Sequence, residues 1–67
     1  MPLSARNQLK GRIKSIQSDN VMSEVVIDVG GMEICSTITA NSVTRLGLKI
    51  GDEASAIIKA SDVIISK

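Results

Sequence analysis

The stretch VMSEVVIDVGGMEICSTIT, residues 21–39, decides the fold. Residues 21–29 are rich in β-branched side chains, which suit a pleated strand. Gly30-Gly31 follows and supplies the positive φ angles of a tight hairpin turn. Met32–Thr39 then alternates, with Met32, Ile34, Ser36 and Ile38 set against Glu33, Cys35, Thr37 and Thr39. That period of two puts each set on one face of a strand. The hairpin therefore brings long apolar side chains from both strands to a shared face.

The same pattern extends to either side. Residues 9–16 alternate, with Leu9, Gly11, Ile13 and Ser15 on one face and Lys10, Arg12 and Lys14 on the other. Gly11 on the inner face marks a bend or a close approach of backbones. Gln17-Ser18-Asp19-Asn20 is a turn by composition. After the hairpin the register changes. Thr39 is an N-cap candidate, Val43 and Leu46 have helical spacing, and Gly47 sits where a helix ends. A short helix of about two turns is expected there. Residues 53–59 and 62–66 read as a fourth and a fifth strand, with Ala60-Ser61 between them. The expected fold is all-β, a five-stranded OB-like barrel with one short helix between strands three and four. An SH3-like barrel and an open meander are the alternatives. Residues 1–67 form one domain, without repeat or linker.

Size and composition ask for help from outside the chain. With 67 residues, little surface is buried. Cys35 is the only cysteine and there is no histidine, so neither a disulfide nor a tetrahedral zinc site is available. Aromatic residues are absent, leaving a core of Val, Ile, Leu, Ala and Met. Completion of the core by oligomerisation is expected. The net charge is +1, and no segment has the charge run of a polybasic or acidic tail. No apolar run approaches the ~20 residues of a membrane helix, and the first residues lack a signal-peptide pattern. A free thiol without a targeting segment suits the cytoplasm.

Catalysis is not expected. Without histidine there is no general base poised near neutral pH, and Cys35 has no activating partner. The acids Asp19, Glu24, Asp28, Glu33, Asp52, Glu53 and Asp62 are scattered and suggest no metal cage. A small OB-like barrel can bind single-stranded nucleic acid, but it does so by stacking bases on aromatic side chains, which are missing here. The stripe Lys10, Arg12, Lys14 could touch phosphates or could simply guard the strand against edge pairing. A nucleic-acid-binding module is thus one alternative, and a scaffold or regulatory subunit without a small ligand is another.

Two segments are dense in hydrogen-bond donors: Ser4-Ala5-Arg6-Asn7-Gln8 before the first strand, and Lys59-Ala60-Ser61-Asp62 between the last two. Backbone N–H groups in turns make anion-binding concavities, and charged donors strengthen them. Either segment could equally be a plain polar terminus or turn.

Those segments carry a resemblance. Residues 4–11, Ser-Ala-Arg-Asn-Gln-Leu-Lys-Gly, and 58–63, Ile-Lys-Ala-Ser-Asp-Val, are similar to the opening and closing signatures of the molbindin (Mop) family. Residues 42–48 followed by Gly51-Asp52 resemble its helix and turn. The likeness spans almost the whole chain, in order. It implies a cytoplasmic protein, not an enzyme, that binds molybdate or tungstate for storage or buffering. It further implies a hexamer, a trimer of dimers, with oxyanions held between subunits. Similar domains are joined to molybdate-responsive regulators and transporter ATPases, for which this chain has no room. No organic cofactor is expected, with molybdopterin binding kept as a minor alternative. The residues expected to hold the ion are Ser4, Ala5, Arg6, Asn7, Lys59 and Ser61. Thr39, Ala40, Asn41 and Ser42 form a weaker second candidate, because a helix N-terminus offers free N–H groups.

Overall fold

The computed structural model describes residues 6–67. Four strands, β1 (Asn7–Ser18), β2 (Met22–Val29), β3 (Met32–Thr39) and β4 (Glu53–Ile58), form one antiparallel sheet in the order β3-β2-β1-β4. Helix α1 (Ala40–Leu46) stands between β3 and β4, as the sequence predicts. A 3-10 turn at Ala60–Asp62 follows β4.

The central hairpin forms as read. Gly30 and Gly31 take φ values of 61° and 90°, and β2 pairs with β3 in continuous register from Met22↔Thr39 to Val29↔Met32. Asp28 tightens the turn by accepting the Gly31 N–H at 3.0 Å. At the other end of β2, the Asp19 carboxylate accepts from the N–H groups of Val21 and Met22, both at 2.8 Å. Such an Asx-type turn is how a short polar side chain reverses a chain.

Strand β1 is longer than expected, and its alternation breaks. Ile13 pairs with Ile27 but Ser15 pairs with Val26, so Lys14 is the extra residue of a β-bulge. Beyond the bulge the faces exchange, and Ile16 packs against the core. The core itself is Ile13, Val25, Ile27 and Ala56, with Leu9, Ile34, Ile38, Val43 and Leu48 among the residues packed on it. Ile13 is only 2% exposed. The inner-face Gly11 has the role of close approach: a Cβ there would lie 2.2 Å from the Asp28 carbonyl oxygen.

The expected fifth strand at residues 62–66 does not form in the single chain. The 3-10 turn, closed by Asp62 N–H to Lys59 O at 2.9 Å, ends the ladder, and Ile64 and Ile65 are 92% and 85% exposed. No ladder joins β3 to β4 among the described residues, so the sheet is open rather than a closed barrel. The physical reason is that an isolated apolar strand needs a surface to cover, and the turn carries residues 63–67 away from their own sheet. The fourth strand stops at Ile58, one residue before the expected end.

Candidate functional site

Strand pairing brings the two donor-rich segments together. Asn7 pairs with Ile58 and Gln8 with Ile57, across the antiparallel contact of β1 with β4. The Asn7 side-chain amide donates to the Ile58 carbonyl at 3.1 Å and is partly buried. Asn7 therefore fastens the start of β1 to the last residue of β4, which Lys59 directly follows. Its amide nitrogen is used structurally, a role the sequence left open.

Arg6, Lys59 and Ser61 are exposed at this end of the sheet, and their side chains form no hydrogen bond or ion pair with another described residue. Ser61 sits in the 3-10 turn, with Ala60 before it and Asp62 after it. Donors of both kinds, charged and neutral, thus flank a fixed backbone junction. Ser4 and Ala5 lie outside the described residues.

The outward cations of β1 are placed differently. Lys10 lies 3.4 Å from Glu53, Lys14 pairs with Glu33, and Arg12 donates to the Gly51 carbonyl at 3.1 Å. Hydrogen bonding to Glu33, more than its Coulombic attraction, raises the Lys14 ammonium above its ordinary pKa. Exposed pairs of this sort add little stability, but they leave a face of mixed sign. A phosphate backbone would have to compete with carboxylates for each lysine.

Residues 39–42 lie at the opposite end of the sheet, since Thr39 pairs with Met22 just past the β1–β2 turn. Here the helix caps itself. The Thr39 hydroxyl accepts the Ser42 N–H at 3.1 Å and shares a hydrogen bond with the Ser42 hydroxyl at 2.8 Å. The Ala40 N–H goes to the Val21 carbonyl at 2.9 Å. Two of the leading N–H groups are thus spent inside the chain. Within one copy, this set and the Asn7–Lys59 set are two separate places.

One feature escaped the sequence reading. Between the free edges of β3 and β4 lies an open trough of about 330 Å³, with Ile27, Ile34, Ser36, Ser55, Ile57 and Ile58 among its lining residues. The alternation of each strand marks these side chains individually, but only the pairing of β1 with both β2 and β4 sets them facing one another. Among the described residues no group of His, Cys, Asp or Glu could hold a metal ion, and no helix is long and apolar enough to cross a membrane.

The open four-stranded sheet with one capped helix among the described residues is the fold of a small β domain, and the chain belongs to the TOBE domain family, whose profile matches residues 3–65. Within that family it is similar to molybdenum-pterin-binding protein 1 of Clostridium pasteurianum, with 46% identity over 66 residues and 97% of each chain covered. A solved molybdate-binding protein from Sporomusa ovata matches it with a TM-score of 0.96 and 37% identity, over 100% of both chains. The cytoplasmic molybdate-binding protein ModG, solved with molybdate bound, matches with a TM-score of 0.91 and 51% identity, covering 96% of this chain and 46% of that one. The molbindin resemblance is upheld, and the relatives are named as binding proteins rather than enzymes.

Proposed function

We propose that this chain binds molybdate or tungstate without transforming it, as a cytoplasmic store or buffer. The observation that carries the reading is the junction of β1 with β4. It gathers Arg6, Lys59 and Ser61 beside Asn7 in a chain similar to solved molybdate-binding proteins. A dianion leaving water must regain several hydrogen bonds. Lys59 and Arg6 supply charge and Ser61 supplies a neutral donor. Ser4 and the backbone N–H groups of Ala5 and Asn7 complete the proposed set. Residues 39–42 are a secondary candidate, weakened by the N–H groups already spent on the cap.

One copy presents these donors on an exposed surface, where water competes for each. Sites between subunits remove that competition, so the proposal includes a homo-oligomer, a hexamer by the family resemblance, with ions at its interfaces. Neither nucleic acid nor membrane is a proposed partner. The mixed-sign face of β1 and the absence of aromatic residues argue against base stacking and backbone tracking.

Calorimetric titration tests the reading. Saturable heats are expected with molybdate and with tungstate, which share charge and nearly share shape. Sulfate is smaller and is expected to bind more weakly to a cage sized for the larger ions. Heats for molybdate no greater than those for sulfate would refute an oxyanion site of this kind.

A further inference from the structure

We propose that the Asn7 side chain is a positioning residue of the proposed oxyanion site: its amide holds Arg6 and Lys59 at a set spacing, so that both reach one bound ion. This rests on the oxyanion reading above and gives Asn7 a role that acts through its neighbours in the chain.

The placement of four residues carries the inference. Asn7 is the first residue of β1, Ile58 is the last of β4, and the two oppose one another across the ladder. Opposed residues of antiparallel strands have Cα atoms roughly 4.5–5.5 Å apart. Arg6 precedes one member of this pair and Lys59 follows the other. The two cations therefore leave the sheet from adjoining points. Strand ends are also where a ladder opens most readily. At this end a second link is added, since the Asn7 Nδ2 donates to the Ile58 carbonyl at 3.1 Å.

Beyond Ile58 the chain is held differently. The bonds of the 3-10 turn, from the Asp62 N–H to the Lys59 carbonyl at 2.9 Å and from the Val63 N–H to the Ala60 carbonyl at 3.3 Å, are internal to it. They keep the shape of residues 59–63 without fixing where that turn stands against β1. Lys59 opens the turn without a side-chain cap. Among the described residues, the side-chain bond nearest to Lys59 in sequence is the one from Asn7. A donor drawn from about 2.9 Å to about 3.6 Å no longer makes a hydrogen bond. A displacement of well under an ångström between Arg6 and Lys59 is thus enough to cost the ion a contact. Asn suits this task because its side chain is short and neutral, so it braces the junction without adding a competing charge.

The test is calorimetric titration of the full chain with molybdate. Asn7→Ala removes the amide, and Asn7→Leu removes the donor while keeping nearly the same bulk. Both are expected to weaken binding about tenfold, the scale of one net hydrogen bond, while keeping the parent's circular dichroism and sedimentation. A double-variant cycle then separates positioning from a general loss of order. If Asn7 acts through Lys59, adding Asn7→Ala to Lys59→Met should weaken binding further by only about threefold or less, because coupled residues are not additive. Should Lys59→Met bind too weakly to titrate, Ser61→Ala in the same turn takes its place in the cycle. Parent-like affinity in both single Asn7 variants overturns the proposal. So does a double variant whose loss is the full product of the two single losses. Failure of both Asn7 variants to fold would make the bond a requirement of the fold and overturns it as well. A parent that binds no molybdate sinks the oxyanion reading and the positioning role together. A parent that binds molybdate, beside Asn7 variants that bind it equally well, sinks the positioning role alone.

Discussion

Single residues decide both the proposed ion site and the packing of the sheet. Ser61→Ala is expected to weaken molybdate binding by about 1–3 kcal/mol, the scale of an unmet buried hydrogen bond. Lys59→Met is expected to cost at least as much, since a charged donor is lost. Both side chains are exposed and lie outside the core, so both variants should stay folded and assembled. Unchanged molybdate affinity in both, read by calorimetry, would show that the ion sits elsewhere. Gly11 is the opposite kind of residue. Any side chain there must push into the Asp28 carbonyl oxygen, 2.2 Å from an added Cβ. Gly11→Ala is expected to destabilise the fold by about 1–3 kcal/mol, as overpacking does, and urea unfolding would measure it. A variant as stable as the parent would mean that β1 and β2 separate there without cost.

At the scale of elements, the turns are held by local side-chain bonds, and one of them senses acid. Hydrogen bonds from the Met22 and Val21 N–H groups hold the Asp19 carboxyl below its ordinary pKa of 3.8. A carboxyl lowered in the folded state stabilises the fold above its unfolded value. That contribution is lost as pH falls through the folded value, below 3.8. Asp19→Asn should therefore narrow its stability gap from the parent as the pH is taken down through that range. Thermal unfolding of the two proteins from neutral pH downward checks it. A gap that stays constant would mean that the carboxylate charge is not what the turn uses. The cap of α1 is equally local, since the Thr39 hydroxyl and Gly47, with φ 64°, satisfy its two ends.

For the whole molecule, stability and assembly are expected to be one quantity. The buried core is small, with Ile13, Val25, Ile27 and Ala56 at its centre, and the apolar tail is left in water by the single chain. If copies complete one another, folding includes association, and the unfolding temperature must rise with protein concentration. Unfolding curves at concentrations spanning two orders of magnitude read this directly. A midpoint independent of concentration would place the whole stability inside one chain. Bound molybdate should raise the midpoint further, because a ligand of the folded state stabilises it by mass action.

What the sequence determined by itself was local. Alternation placed the strands, Gly30-Gly31 placed the hairpin, and Thr39 with Gly47 placed the helix, because each of these signals acts within a few residues. The two donor segments were legible as compositions, and the family as an ordered set of short motifs. Their meeting was not legible, since it depends on β1 pairing with β4 across the length of the chain. Nor did the pattern contain the bulge at Lys14, which moves Ile16 to the core through a shift in pairing rather than through residue type. The use of Asn7 as a brace to Ile58 was hidden for the same reason. The fifth strand shows the limit most clearly. Its residues have strand character, but a strand forms only where an edge awaits it. The tertiary structure decides that the edge is not reached by the chain's own tail, because the turn after β4 leads the chain away from it.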